Sequence, residues 1–195
     1  MSQVITEIPV QLENRDRQSV AFRLFLTIPI ALFVGAFGSS TNDAAAAAAG
    51  FLMVPPILTL LFLGIYPSYC LAFNKSFLNL NTRMAAYFAL LTDKYPTIED
   101  SEMVTITYPE IEDGRSLNRG LPLVKWLLAI PLYVVGLVYT VYAGALVIIS
   151  WFTIVFGGNM SASAADVIVR TIQFWNRVWG YAIILVTDEY PSFSL

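Results

Sequence analysis

The sequence predicts an α-helical integral membrane protein made of two tandem repeats, each with a short β-strand, a transmembrane helical hairpin and an amphipathic interfacial helix. Three observations predict this fold. The 195 residues are 57% hydrophobic and only 13% charged, whereas soluble domains are about 45–50% apolar and about 25% charged. Several apolar stretches approach the ~20 residues that a spanning helix needs. Similar phrases also recur in the two halves of the chain, in the same order.

The repeat is clearest at the end of each half. The phrase LLTDKYP at 90–96 returns as LVTDEYP at 185–191, and RLFLTIP at 23–29 resembles KWLLAIP at 125–131. Because basic residues and prolines match as well as apolar residues, the pattern favours a duplication over a shared apolar composition. The predicted repeats are residues 1–96 and 97–195.

Each repeat is predicted to begin with a strand that leads into a hairpin. In the first repeat the strand lies within 3–13 and the hairpin occupies 20–66, with a polar turn at 39–43. In the second repeat the strand is 102–112, and the 38 apolar residues of 120–157 are too long for one crossing at 1.5 Å per residue. A tight turn near residues 140–144 is therefore expected. The alternating apolar pattern also allows the two strands to pair with each other.

The third segment of each repeat is predicted to be an amphipathic helix, at 68–92 and at 161–187. Arg170, Gln173 and Arg177 recur at spacings of three and four residues, which places them on one face of a helix. Charges in such a helix favour a position in the headgroup plane over an upright crossing. A slanted entry with snorkelling side chains is the alternative.

The distribution of basic residues predicts the topology. Two crossings in each repeat place all polar segments on one side of the membrane, whereas three crossings would invert the second repeat. Basic residues flank both predicted hairpins, and the predicted turns within the hairpins contain no Lys or Arg. The positive-inside rule therefore predicts two crossings in each repeat and both termini in the cytoplasm.

The Thr-Asp-x-Tyr-Pro motif is interpreted as a structural helix stop. Thr and Asp side chains compete for backbone groups at a helix end, Tyr favours the membrane interface, and Pro prevents the helix from continuing. The residues of the two copies are Thr92, Asp93, Tyr95, Pro96, Thr187, Asp188, Tyr190 and Pro191.

Arg23 and Lys125 occupy matched positions near the predicted membrane edge. They are predicted either to bind anionic lipid headgroups or to pair with Asp93 and Asp188. Further candidates for contacts with lipid headgroups or a partner are Arg83, Arg170 and Arg177.

Pro29 and Pro131 each lie within a predicted apolar helix. Proline removes a backbone hydrogen bond and clashes with the carbonyl group four residues earlier. A kink in the first helix of each hairpin is therefore expected.

The composition argues against several classes of function. The chain contains no His and a single Cys, Cys70, so an intramolecular disulfide is excluded and a metal centre is not expected. The basic residues are scattered, which argues against a nucleic-acid partner. No phosphate-binding or dinucleotide-binding loop and no nucleophile–base pair is present. We therefore expect no cofactor and no enzymatic activity.

The order of these motifs resembles the bacterial membrane family known as domain of unknown function 4389. The resemblance rests on the RLFLTIP and KWLLAIP segments, SWFTIVFGG at 150–158, the RxxxY pattern and TDEYPSFSL at the end of the chain. It covers nearly the whole chain as two copies, although the first copy has FLGIYPSYC at 62–70 in place of the Trp and glycine turn. The resemblance implies a small protein of the bacterial inner (cytoplasmic) membrane and brings no established activity.

The sequence thus predicts a non-catalytic membrane scaffold or accessory subunit, with membrane lipids and either further copies of itself or a larger membrane complex as partners. A channel or a lipid-handling protein is the alternative. An enzyme acting on lipids is the third hypothesis, in which the Asp and Tyr residues of the two motifs are the only acid–base candidates. No nucleophile or metal site accompanies them.

Overall fold

A computed structural model describes residues 3–38, 44–99 and 103–195, with the side chains of 36–53 left out of the description. The predicted polar turn at 39–43 lies outside the described residues. The α-helices in this part of the chain are α1 (Arg17–Ala21), α2 (Arg23–Gly38), α3 (Ala44–Leu63), α4 (Ser68–Phe88), α5 (Lys125–Leu128), α6 (Ile130–Gly157) and α7 (Ala162–Ala182). Short 3-10 helices lie at Glu112–Gly114 and Leu121–Leu123, and the strands are β1 (Ile5–Glu7) and β2 (Thr105–Thr107).

The two strands form one antiparallel pair, with Ile5 opposite Thr107. The predicted pairing of the two strands is therefore confirmed, although each strand is much shorter than its predicted segment. A two-stranded sheet is marginal alone, and here it rests on α7. The Gln173 side chain donates to the backbone oxygen of Thr6 at 2.8 Å, and Asn176 Nδ2 donates to Thr6 Oγ1 at 3.0 Å.

The hairpin predicted at 120–157 is wrong. After the 3-10 helix and α5, the chain continues as one 28-residue helix, α6, which is about 42 Å long at 1.5 Å per residue. No turn forms at 140–144, because this segment, TVYAG, lacks a pair of residues that favours a reversal. The helix ends instead at Gly158, whose φ of 80° is the left-handed conformation typical of a helix C-terminus.

The predicted architecture of two equivalent repeats with transmembrane hairpins is therefore wrong. Among the described residues, only α6 is long and apolar enough to cross a membrane, with a mean hydropathy of 2.2. In the parts of α2 and α3 whose side chains are described, the apolar segments are the shorter Arg23–Gly35 and Val54–Leu63. The first half thus contains two separate helices where the second half contains one long helix.

The prediction that α4 and α7 lie on the membrane surface as separate amphipathic helices is also wrong, because these helices form the centre of the fold and pack against α2 and α6. Phe174 and Val178 of α7 are fully buried. The polar residues of the two helices also face each other inside the protein, where Asn176 Nδ2 donates to Thr82 Oγ1 at 3.0 Å. The amphipathic pattern therefore reflects a protein core with an internal hydrogen-bond network.

The helices and the sheet form three layers. Ile30 and Val34 of α2 pack on α4, and Gly136 of α6 lies so close to Phe174 and Trp175 of α7 that a Cβ atom there would clash. The sheet contacts α7 through Gln173 and Asn176. The layers are thus α2 and α6, then α4 and α7, then β1 and β2.

The two prolines predicted to kink helices differ in position. Pro29 lies inside α2, where it removes one backbone hydrogen bond. Pro131 lies in the first turn of α6, where the missing N–H group would have no helical partner in any case. Pro131 therefore occupies a position where proline helps to start a helix, just after the break between α5 and α6 at Ala129.

Candidate functional site

The first copy of the motif forms a buried cluster, the first motif site, in which Asp93 pairs with Arg15 and Arg23. The Nη2 atoms of Arg15 and Arg23 lie 2.8 and 2.7 Å from Asp93 Oδ1. Arg15 Nη1 also donates to the backbone oxygen of Leu90 at 2.6 Å, and Arg23 Nη1 donates to that of Thr92 at 2.9 Å. The two arginine side chains are 0% and 2% exposed, so both charges depend on Asp93 and on these backbone oxygens.

The second copy forms a smaller cluster, the second motif site, in which Asp188 pairs with Lys125. Lys125 Nζ lies 2.6 Å from Asp188 Oδ1 and donates to the backbone oxygen of Thr187 at 2.7 Å. The Lys125 side chain is 0% exposed. The backbone N–H of Asn118 donates to Asp188 Oδ2 at 2.6 Å, as the N–H of Asp16 does to Asp93 Oδ2 at 2.9 Å.

The backbone has nearly the same conformation around both copies. Leu90 and Leu185 have φ angles of 63° and 64°, which are unusual for residues with a branched side chain. In each copy the Thr hydroxyl accepts a hydrogen bond from the backbone N–H two residues later, at 3.2 and 3.1 Å. The motif therefore forms a tight turn just after α4 and just after α7, beyond the last helical turn.

Aromatic residues also match between the sites. Tyr87 packs edge-on against Tyr95, and Tyr181 against Tyr190, with ring centroids 5.5 Å apart in both pairs. The Arg23 guanidinium lies 3.9 Å from the centroid of Tyr87, within the range of a cation–π contact. The equivalent distance from Lys125 Nζ to Tyr181 is 5.3 Å.

Burial and charge act in opposite directions on the ionisable groups of these sites. Burial alone would raise the pKa of Asp93, but the hydrogen bonds from Arg15, from the Asp16 N–H and from Arg23 outweigh it and lower the pKa. Burial lowers the pKa of Lys125, although the Asp188 carboxylate opposes this effect. The ion pair thus stabilises the charged form of Lys125 inside the protein.

The structure places the other predicted site residues as follows. Arg83 donates to the backbone oxygens of Thr97 and Glu99, and Arg177 donates to that of Ser194 at 2.7 Å. Each of these arginines therefore holds the segment that follows one motif. Arg170 is half exposed and pairs with Asp166 on the same helix at 2.9 Å.

The Tyr and Pro residues of the motifs differ in exposure. Pro96 and Pro191 are buried, whereas Tyr95 and Tyr190 are exposed. The Tyr190 hydroxyl donates to the backbone oxygen of Leu128 at 3.1 Å.

The pattern of the sequence did not identify Arg15 as a site residue, because the second repeat has no basic residue at the matching position. Arg23 and Lys125 are predicted to contact either lipid headgroups or the motif carboxylates, and the structure contains the carboxylate pairs. Both side chains are buried, which leaves neither group accessible to a headgroup.

The two motif sites lie at opposite ends of α6. Lys125 is the first residue of α5, the short helix that precedes α6 along the chain. At the other end, Met160 donates its backbone N–H to the oxygen of Leu12 at 2.9 Å, and its sulfur lies 3.9 Å from Arg15 Nη1. The sites therefore fasten the two ends of the longest helix to the rest of the fold.

A large apolar surface lies outside the motif sites. Exposed apolar side chains cover α2 and α6, and their exposure reaches 70% at Phe25 and 76% at Phe156. Between these helices is an apolar groove of about 550 Å³. Its lining comprises Arg23, Leu24, Phe88, Leu90, Gly144, Val147, Ile148, Trp151 and Phe152. Within the described residues, no group of three or more Cys, Asp or Glu side chains is placed to hold a metal ion.

Comparison with known proteins supports a family relationship for the second half. Residues 122–194 match the family model described as a domain of unknown function (DUF4389). This segment includes α6, α7, the motif residues Thr187 and Asp188, and Lys125, which pairs with Asp188. The resemblance to this family is therefore confirmed for residues 122–194. The match covers one copy and not the two copies that the sequence predicts. No curated protein and no solved structure matches the chain.

Proposed function

We propose that the protein is a non-catalytic membrane scaffold or accessory subunit, which oligomerises or joins a larger complex in the bacterial cytoplasmic membrane. The observation that supports this proposal most directly is the exposed apolar surface of α2 and α6. Monomeric soluble proteins rarely expose contiguous apolar patches above a few hundred Å². A membrane and a protein partner are the two environments that cover such a surface.

The chemistry of the motif sites supports a structural function. Arg15 and Arg23 share Asp93, and Lys125 pairs with Asp188, so the charged groups of the motifs bind each other and backbone oxygens. A catalytic acid or base must instead reach a substrate. The sites are therefore better suited to holding helices together than to acid–base catalysis.

We extend the proposal to topology and to the origin of the first half. Gln3 Nε2 donates to the backbone oxygen of Tyr190 at 3.1 Å, which supports a location of both termini on one side of the membrane. The basic residues that flank the apolar segments favour the cytoplasmic side. The matched φ angles of Leu90 and Leu185 and the matched tyrosine pairs support an origin of residues 1–96 as a diverged second copy of the family segment.

Purification from membranes in a mild detergent, followed by native mass spectrometry, tests the proposal. We expect the protein to stay with the membrane after a carbonate wash and to appear as an oligomer or in stoichiometric association with other subunits. The variant Ile148→Asp, at a position that is 62% exposed on α6, should reduce membrane retention or assembly. Arg170→Asp, on the polar surface of α7, is the matched control. A soluble monomer would contradict the proposal.

Lipid handling is a second candidate function, and the apolar groove favours it. Its volume of about 550 Å³ falls within the range of ~300–1,000 Å³ found for ligand sites. The guanidinium of Arg23 is engaged by Asp93 and Thr92, so the groove offers mainly hydrocarbon. We propose that it holds one acyl chain of a membrane lipid.

Gly144 allows a direct test of the groove, because a Cβ atom there meets nothing within 4 Å. Gly144→Leu should fill the groove and lower photocrosslinking of a diazirine-labelled phosphatidylglycerol to residues 144–152 at least fivefold. Gly157→Leu adds the same side chain to the same helix, also in open space, and should leave the yield unchanged. Equal yields from both variants would exclude the groove as the lipid site.

A further inference from the structure

We infer that α6 lies in the plane of the membrane and embeds its exposed apolar face, together with that of α2, in the hydrocarbon of a single leaflet. The inference rests on the proposed membrane association and assigns an orientation to it. A helix of this length and hydropathy would ordinarily be expected to cross the bilayer. The layers of the fold and the charges at its polar side favour the other orientation.

The apolar face extends along the whole of α6. Leu137, Val141, Ile148 and Phe156 are between 62% and 76% exposed and sample the helix from its first half to its end. Leu24 of α2 is 68% exposed and lines the same groove as Ile148. The apolar surfaces of the two helices are therefore continuous where they meet at this groove.

The side of the molecule opposite to this apolar face is polar beside the central part of α6. Trp175 Nε1 of α7 donates to Thr140 Oγ1 near the middle of α6 at 2.8 Å, so α7 runs beside α6 and not beyond its ends. The neighbouring residues Gln173 and Asn176 of α7 bind β1, in which Glu7 is exposed. Charged and polar groups of the sheet thus lie beside the central part of α6, separated from it by one helix.

The same arrangement holds nearer the end of α6. Ile168 of α7 packs in one cluster with Ala143 and Ile154 of α6. Asp166 and Arg170, which flank Ile168 on α7, have side chains that are 56% and 51% exposed. If α6 crossed the bilayer upright, these charges would lie at the depth of the hydrocarbon, where each is costly.

An in-plane α6 removes this conflict. The apolar helices then face the acyl chains, while the sheet and the polar face of α7 remain in water. Exposed arginines lie near both ends of α6. Arg17 lies against Gly158 at its C-terminal end, and Arg119 follows Asn118, whose backbone N–H binds Asp188 of the second motif site near its N-terminal end. In this orientation both arginines reach the anionic headgroups of one leaflet, whereas an upright α6 would put one of them on the outer side, against the positive-inside rule.

Cysteine labelling at the two ends of α6 tests this inference. On a Cys70→Ser background, single cysteines are introduced by Asn159→Cys after α6, by Glu189→Cys at the second motif site and by Glu7→Cys in the sheet. The cysteine variants are expressed in bacteria. A membrane-impermeant maleimide is applied to spheroplasts and to sealed inverted membrane vesicles, before and after permeabilisation. Ala162→Cys and Ser192→Cys are the substitutes for either end if a variant fails to fold, as judged by thermal unfolding in detergent.

The expected result is that all three positions react from the same side of the membrane and resist labelling from the other. Reaction of Asn159→Cys and Glu189→Cys from opposite sides would overturn the in-plane orientation while leaving membrane association intact. Protection of Glu7→Cys from both sides would also overturn it, since the sheet would then be within the membrane. Release of the protein by a carbonate wash would overturn the membrane proposal and this inference together.

Discussion

The two motif sites have similar backbone conformations but differ in the number and type of buried cations that pair with the motif carboxylate. In the first site one carboxylate, Asp93, neutralises two arginines, whereas in the second site Asp188 neutralises one lysine. A guanidinium cannot lose its proton inside a protein, but a buried ammonium group can. The two copies therefore share a turn and the position of a carboxylate. The number and type of the cations determine how strongly the stability of each site depends on that carboxylate.

The largest expected effect follows from removal of the motif carboxylate. Asp93→Asn leaves two buried arginines without a counterion and should lower the free energy of unfolding by about 3–5 kcal/mol. Asp188→Asn leaves one lysine that still donates to the Thr187 oxygen, so we expect a loss of only about 1–3 kcal/mol. Thermal unfolding of both variants in detergent measures the difference. A larger loss in Asp188→Asn would contradict the comparison.

Exchange of the cation in the first site should have an intermediate effect. Arg23 donates directed hydrogen bonds to the Thr92 oxygen and to Asp93, and its guanidinium contacts the ring of Tyr87. Arg23→Lys keeps the charge but loses one of these hydrogen bonds and the contact with Tyr87. We expect a loss of about 1–3 kcal/mol in the free energy of unfolding. Arg170→Lys, at an exposed ion pair, is the control and should change it by less than about 0.5 kcal/mol. Equal stability of Arg23→Lys and the wild type would show that charge alone suffices at this site.

The two carboxylate variants should also respond differently to alkaline pH. Burial already lowers the pKa of Lys125, and Asp188→Asn removes the carboxylate that opposes this effect. Between the lowered pKa of Lys125 and the ordinary lysine pKa of about 10.4, the unfolded chain binds more protons than the folded protein. Stability should therefore rise with pH across that window, by about 1.4 kcal/mol for each unit of pKa difference. Asp93→Asn should show no such rise relative to the wild type, because its arginines stay charged. Parallel pH profiles of the two variants would refute the distinction between the sites.

The smallest effect concerns the exposed tyrosines. Tyr190→Phe removes the hydrogen bond to the Leu128 oxygen and should cost about 0.5–1.5 kcal/mol. The Tyr95 hydroxyl has no hydrogen-bond partner in the part of the chain that the structure describes, so Tyr95→Phe should be close to neutral. Chemical unfolding measures the free energy of unfolding of both variants. A larger loss in Tyr95→Phe than in Tyr190→Phe would contradict the assignment of the structural hydroxyl to Tyr190.

Local signals in the sequence predict the motif sites well. The repeated order of a basic residue, an apolar helix and a Thr-Asp turn brings Arg23 to Asp93 and Lys125 to Asp188, as one of the two predicted pairings requires. The strand pairing follows from the alternation of apolar residues in both segments. These features depend on residues with strong local preferences and on charges that must find partners when buried.

The global arrangement could not be predicted in the same way. A long apolar run such as 120–157 carries the same composition whether it forms a hairpin or one helix, and the choice depends on α7, which packs along its length. The polar stripe of α7 resembles an interfacial helix, but Gln173 and Asn176 bind the sheet instead of headgroups. Arg15 has no counterpart in the second half, so comparison of the halves could not find it.

A double-mutant cycle at the second motif site tests most directly the claim that the motif residues act as buried structural pairs. The variants are Lys125→Met, Asp188→Asn and the two together, and thermal unfolding in detergent is measured for each. If the pair is structural, the double variant should be more stable than either single variant, because neither charge is left unpaired. Losses that simply add would contradict the account.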